Sequence, residues 1–317
     1  MDSSELQQLA QNTRSKRETG IALVITSGLL ALFLFVPIVL NIPTDKPSVA
    51  VVTASSTPDA FAHVQFHAKA VIVYDLVTHE TLYEKNADAQ LPLASLTKLL
   101  TVYAALSELP TNTPITISAD AAQKEAPHAF SAGQTFALSD LARLTLTASL
   151  NDGATAIAEA TAGRQNRSQS DMLASAATAL QLSQTYAVNG SGLDVNSVVS
   201  GGYGSARDLA QLAGALVRQS PDIAAATTES LATAVSTSGT SFKVKNTDPM
   251  VGTLPRLLLS KTGYTDLAGG NLVLVFDSGI QHPIAVVVLG STQKARFTDG
   301  NALVAATLAH FAGVASL

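Results

Sequence analysis

The longest uninterrupted apolar stretch comes early. From Ile21 to Leu40 the chain reads IALVITSGLLALFLFVPIVL without a charged residue. The polar residues 1–20 precede it and carry Arg14, Lys16 and Arg17 close to the junction. As a helix these 20 residues would rise about 30 Å, enough to cross the hydrocarbon core of a bilayer. A cleavable signal peptide has a shorter apolar region, about 7–15 residues. The nearest small-residue cleavage pattern, Val52-Thr53-Ala54, also lies well beyond the run. Residues 21–40 therefore read as an uncleaved transmembrane signal anchor, with 1–20 as its tail. Basic residues on the N-terminal side place that tail in the cytoplasm and everything after Leu40 outside.

Residues 41–65 hold no period. Pro43, Pro47 and Pro58, with Ser55, Ser56 and Thr57, make them a linker. Residues 66–317 then read as one globular domain without internal repeats. Ala70–Tyr74 and Thr81–Glu84 alternate as a hairpin around Val77-Thr78-His79. Helical spacing marks Leu96–Leu106, Leu138–Thr147, Asp152–Ala162, Ser168–Leu180 and Ala206–Arg218. Leu257–Lys261, Asn271–Phe276 and Ile284–Leu289 are apolar or alternating and read as strands, and a helix over 299–312 closes the chain. Strands at both ends with helices between them predict an α/β (α+β) fold, an antiparallel sheet sandwiched by helical layers.

Composition narrows the chemistry. The chain has 317 residues, 47% of them hydrophobic, enough for a large core. It contains no cysteine, which excludes disulfides, thiolate metal sites and a cysteine nucleophile. The net charge of −5 is spread thinly, with no basic stripe for nucleic acid. The six histidines never fall into an HExxH spacing, so no zinc ligand set is visible and no cofactor is implied.

Three short motifs follow one another: Ser95-Leu96-Thr97-Lys98, Ser149-Leu150-Asn151 and Lys261-Thr262-Gly263. Pro92 precedes the helix expected to begin at Ser95, where unpaired N–H groups and the positive end of the helix dipole gather. Lys98 lies three residues on, on the same helical face, so its amine can reach the Ser95 hydroxyl. A serine needs an adjacent base to become a nucleophile, and a lysine serves where its surroundings favour the neutral amine. Ser149 and Asn151 fall between two helical segments, where a loop can aim them into a cleft. Lys261 ends an apolar stretch, and on a strand it shares a face with Gly263 while Thr262 points the other way. Lys261 and Thr262 suit a carboxylate, and Gly263 leaves room for a substrate backbone.

These motifs in this order resemble the serine D-Ala-D-Ala carboxypeptidases, the low-molecular-mass penicillin-binding proteins. The resemblance covers roughly 68–311. It includes the hairpin segments Val73-Tyr74-Asp75 and Leu82–Asp88, the nucleophile segment Leu93–Thr101, the loop Asn189-Gly190-Ser191-Gly192-Leu193-Asp194, Ser205–Ala210, and Lys261–Thr265 with Ala268-Gly269. It implies a β-lactamase/transpeptidase-like fold with a helical subdomain. Ser95 would be the acylated nucleophile, Lys98 its general base, and Ser149 and Asn151 the proton and substrate network. Lys261 and Thr262 would hold the terminal carboxylate, and the N–H groups of Ser95 and Tyr264 would form the oxyanion hole. The implied partners are peptidoglycan pentapeptides as substrate and β-lactam antibiotics as covalent inhibitors. The implied location is a bacterial cell membrane, with the domain extracytoplasmic.

Leu150 stands where the family often has glycine, Gly153 where it often has alanine, and Asp248 where asparagine is more usual. The same motifs serve D,D-endopeptidases and serine β-lactamases, and a non-catalytic penicillin-binding sensor or scaffold is the alternative outside the enzymes. Class A β-lactamases use a dedicated glutamate for deacylation. Here Leu180–Val195 has no glutamate and one acid, Asp194, inside the loop shared with the carboxypeptidases.

Overall fold

Extended backbone sends successive side chains to opposite faces, so strands rich in Val, Ile and Leu without polar alternation must be covered on both sides. In the computed structural model of the chain, which describes residues 59–313, that is how the central sheet is built. The elements run β1 (Ala70–Asp75), β2 (Thr81–Lys85), β3 (Leu91–Pro92), α1 (Thr97–Glu108), β4 (Pro114–Thr116), α2 (Ala119–Ala122), β5 (Thr135–Ala137), α3 (Leu138–Ala148), α4 (Asn151–Arg164) and α5 (Gln169–Ala179). They continue with β6 (Tyr186–Ala187), β7 (Gly202–Gly204), α6 (Ala206–Gln219), α7 (Pro221–Ala226), β8 (Leu231–Val235), β9 (Ser241–Lys245), β10 (Leu257–Thr265), β11 (Gly269–Asp277), β12 (Pro283–Ser291) and α8 (Ala295–Phe311). The main sheet has the order β10-β11-β12-β1-β2, antiparallel throughout.

Ile72, Tyr74, Val273, Val275, Ala285 and Val287 enter a large core shared with α1, α3 and α6. Their neighbours Val71, Val73, Leu272, Leu274, Val286 and Val288 enter a smaller core on the other face, under Leu303, Val304 and Ala306 of α8. The expected α+β arrangement is therefore present.

Several expectations are corrected. Ser95 lies in a short 3-10 turn, Ala94–Leu96, ahead of α1 and outside it. Pro92 does not open the helix; it sits in β3, paired with Tyr203. Lys261 does not end its strand, because β10 continues in register with β11 as far as Thr265. The β8–β9 hairpin was not foreseen, although Ser-Phe-Lys-Val-Lys alternates and Ser238-Gly239 marks a turn. Its inward residues Ala232, Ala234, Phe242 and Val244 complete the large core, and Phe242 packs on Phe130 and Phe136. Ala60 and Phe61, within the expected linker, are buried in the smaller core, where Phe61 stacks on Tyr83 at 5.1 Å. Burying the ring contributes about 1.5–3 kcal/mol, enough to offset the backbone freedom of one or two residues. The tail and transmembrane run, residues 1–40, lie outside the described residues. Among those described, no helix is long and apolar enough to cross a membrane.

Candidate active site

The turn that carries Ser95 is held by its backbone. Leu93 N donates to Gly202 O at 2.9 Å. Asn271 on β11 is fully buried and donates its side-chain amide to Pro92 O at 3.0 Å and Leu93 O at 3.1 Å. Ala94 takes a left-handed conformation (φ 49°), a strain of order 1 kcal/mol that this scaffold imposes to turn the chain from β3 to Ser95. A Cβ at Gly263 would come 2.9 Å from Leu93 O and 3.3 Å from the Ser95 and Leu96 nitrogens. Glycine is thus required there for β10 to lie against the nucleophile turn.

Lys98 is fully buried on the first turn of α1. Its Nζ lies 2.7 Å from Ser95 Oγ, 2.7 Å from Asn151 Oδ1 and 2.7 Å from Ser191 O. Asn151 begins α4, and its Nδ2 donates to Glu125 O at 2.9 Å, which turns Oδ1 towards Lys98. The two oxygens other than Ser95 are pure acceptors. A neutral amine spends its two N–H groups on them, so its lone pair is left for the one partner that can donate, the Ser95 hydroxyl. Burial pushes the Lys98 amine down to about 7, against the opposing charge of Asp152. Asp152 is itself buried and accepts from the N–H groups of Ala129, Phe130 and Gly153, each at 2.7 Å.

Opposite stands the β10 wall. Lys261 is buried, and its Nζ donates to Ser149 Oγ at 2.8 Å and Thr262 O at 2.7 Å. Ser149 caps α3 in a left-handed conformation (φ 58°), a second strained residue at the site. Its hydroxyl meets Lys261, and no hydrogen bond joins it to Lys98 among the described residues. Lys261 is pushed well below the usual lysine range by burial, then by the charges of Lys98 and Arg296. Thr262 is buried with its hydroxyl 2.6 Å from that of Thr247. Tyr264 follows with an exposed ring whose hydroxyl donates to Asp266 Oδ1 at 3.4 Å. The fold thus sets Ser95, Lys98 and Asn151 on one side and β10 with Ser149 on the other, Gly263 lying against the Ser95 turn.

Sequence reasoning missed four contributors. Ser191 supplies a carbonyl, although its loop was noted. Asn189 shapes that loop, accepting from Ser191 Oγ at 3.0 Å and Gly192 N at 2.8 Å. Asn271 and Arg296 carried no local signal. Arg296 on α8 donates to Gly263 O at 2.7 Å, and its buried Nε has no hydrogen-bond partner among the described residues. Burial pushes its guanidinium pKa down from the usual arginine value. Buried cationic groups with so little opposing charge form a site that an anion relieves.

The family departures are accommodated locally. Leu150 has φ −67°, which asks nothing of glycine, and its side chain is buried. Gly153 is needed because a Cβ there would lie 2.1 Å from Thr145 Oγ1. Asp248 is buried and accepts from Ser260 Oγ at 2.6 Å and Met250 N at 2.8 Å.

The chain is similar to known proteins. A model of the peptidase S11 family, D-alanyl-D-alanine carboxypeptidase, matches residues 52–293. The chain is 30% identical over 260 residues to the D-alanyl-D-alanine endopeptidase of Pseudomonas aeruginosa, covering 80% of this chain and 81% of that one. It is 29% identical over 257 residues to the D-alanyl-D-alanine carboxypeptidase DacD of Escherichia coli, covering 75% of this chain but 62% of that longer one. Penicillin-binding protein D2 of Listeria monocytogenes, in its cefotaxime-bound form, superposes with a TM-score of 0.64 at 27% identity over 76% of this chain and 97% of its own. With a family match across most of its length, the chain belongs to the D-alanyl-D-alanine carboxypeptidase family, peptidase S11.

Proposed function

We propose that this chain is a membrane-anchored serine D,D-carboxypeptidase that removes the terminal D-alanine from peptidoglycan stem peptides. The observation that carries the chemistry is Lys98 Nζ, held between two pure acceptors so that its lone pair addresses Ser95 Oγ. Ser95 attacks the penultimate carbonyl and Lys98 takes its proton. The developing oxyanion faces the N–H groups of Ser95 and Tyr264, donors of a kind worth about 3–4 kcal/mol each in a studied protease. The bond to the leaving D-alanine nitrogen breaks as Ser149, whose hydroxyl is backed by Lys261, passes its proton to that nitrogen and takes in return the one Lys98 received from Ser95, so both groups end the step as they began it. Water then hydrolyses the Ser95 ester and releases the shortened peptide. Lys261, Thr262 and Arg296 receive the terminal carboxylate, the anion their environment favours.

β-Lactams would acylate the same serine, as the cefotaxime-bound Listeria relative suggests. Their ester should persist, since the one acid of Leu180–Val195, Asp194, accepts from Thr265 Oγ1 at 3.2 Å and makes no hydrogen bond to Ser95 or Lys98. A relative named as an endopeptidase supports a second reading in which a cross-link is cut by the same steps. The uncharged run Ile21–Leu40, with basic residues before it, supports the anchor and an extracytoplasmic domain.

The test is mass spectrometry of pentapeptide and cross-linked muropeptides after incubation with the ectodomain, beside fluorescent-penicillin labelling of wild type and Ser95→Ala. Loss of one alanine from the pentapeptide, with labelling confined to the wild type, is expected. Equal labelling of both proteins would remove Ser95 from its role, and cleavage of cross-links alone would favour the endopeptidase.

A further inference from the structure

Thr262 has one hydroxyl proton, and its nearest hydroxyl neighbour is Thr247, 2.6 Å away. At that distance one oxygen donates and the other accepts. A carboxylate only accepts, so a Thr262 that serves a carboxylate must spend its proton there. Its contact with Thr247 can then persist only if Thr247 is the donor. The direction of a hydrogen bond outside the three motifs therefore decides whether the clamp can work.

Thr247 is built to hold that position. It lies on the segment between β9 and β10, and its N–H donates to Thr147 O at 3.2 Å, two residues before Ser149. The residue before it, Asn246, donates its side-chain amide to Thr227 O and Glu229 O, both at 2.8 Å. The residue after it, Asp248, is fixed by Ser260 Oγ, on the same strand as Thr262. Thr247 itself is half-buried, and its hydroxyl makes no other protein hydrogen bond among the described residues.

We propose that Thr247 is a positioning residue for the carboxylate clamp: it donates to Thr262 and so commits the Thr262 proton to the terminal carboxylate of the substrate. This rests on the reading of Thr262 as part of that clamp. Hydrogen bonds in such a chain polarise one another, and the charged end makes them stronger than neutral ones. Thr247 thereby contributes to preference for a free carboxylate while touching neither Ser95 nor Lys98.

The experiment compares Thr247→Val, which keeps the shape and removes the donor, with Thr247→Ser, which keeps the donor. Acylation of Ser95 is followed with benzylpenicillin and with its methyl ester, and steady-state turnover with a D-Ala-D-Ala peptide. Thr247→Val should lower the acylation rate for the acid by up to about tenfold, the upper end for a lost neutral hydrogen bond, and raise KM more than it lowers kcat. The ester should change little, Thr247→Ser should restore the acid to within a few-fold, and Thr247→Val should add nothing in a Thr262→Val background. Equal losses for acid and ester, or additive losses in the double variant, would overturn the inference while Thr262 remains a clamp residue. If the wild type failed to prefer the acid and Thr262→Val changed nothing, the clamp reading itself would fall and the inference with it.

Discussion

The two lysines of the cleft are both buried and both carry depressed pKa values, yet their surroundings assign them opposite tasks. Lys98 on α1 has three oxygen partners, two of which cannot donate, so its lone pair is directed at Ser95. Lys261 on β10 meets one hydroxyl and the carbonyl of its own neighbour, with Arg296 adding to the positive field around it. Burial alone would make either lysine a candidate base. Partner chemistry separates them: two fixed acceptors and one hydroxyl that can donate prepare a proton acceptor, whereas an incompletely neutralised cation prepares an anion site.

The largest test of this contrast removes each amine in turn. Lys98→Ala should lower penicillin acylation roughly 10²–10⁴-fold, the usual contribution of a general base. Lys261→Ala should cost about 10–100-fold, the range for a lost charged hydrogen bond, and the cost should shrink for substrates lacking the carboxylate. Stopped-flow acylation with both substrate types checks this, and equal losses for the two variants on both substrates would erase the distinction.

A pH profile sharpens it. Lys98 titrates near 7, and its lone pair is occupied by a proton below that value. The acylation rate should therefore fall about tenfold per unit on the acid side and level off above 7. Lys261→Ala should keep this acid limb, because the limb belongs to Lys98.

The last test is on stability, away from the reaction. The Lys98 amine titrates near 7 when folded and at its ordinary 10.5 when unfolded. Between these values the unfolded state binds the extra proton, so this group makes stability fall as pH drops from 10.5 to 7, by up to about 1.4 kcal/mol per unit. Below 7 both states are protonated and the dependence ends. Denaturant melts of wild type and Lys98→Met across this window should diverge by that slope, and parallel curves would mean that Lys98 is charged in the folded protein.

Much of this molecule was legible in order and type. Apolar runs located β1, β11 and β12, since a strand buried on both faces leaves a run that survives without tertiary knowledge, and the half-exposed β2 was read from its turn and its pairing with β1. The β8–β9 hairpin was missed because its inward positions are filled by alanines as well as Phe242 and Val244, a weak contrast with its threonines and serines. Pro92 misled because a proline suits a helix start and a two-residue edge pairing equally well. Arg296 and Asn271 had no readable signal, since each acts on backbone of a distant segment.

The sequence by itself determined the candidate nucleophile, the two lysines, the carboxamide, the glycine that lets β10 approach, and the family they announce. Tertiary structure decided which oxygen each of them meets. Lys98 reaches Asn151 across 53 positions and Ser191 across 93, and Lys261 reaches Ser149 across 112. Hydrogen-bond direction, desolvation and the sign of the local field depend on what long-range packing brings within about 3 Å. Residue spacing constrains that only within an element, so the motifs named the reaction and the fold distributed its tasks.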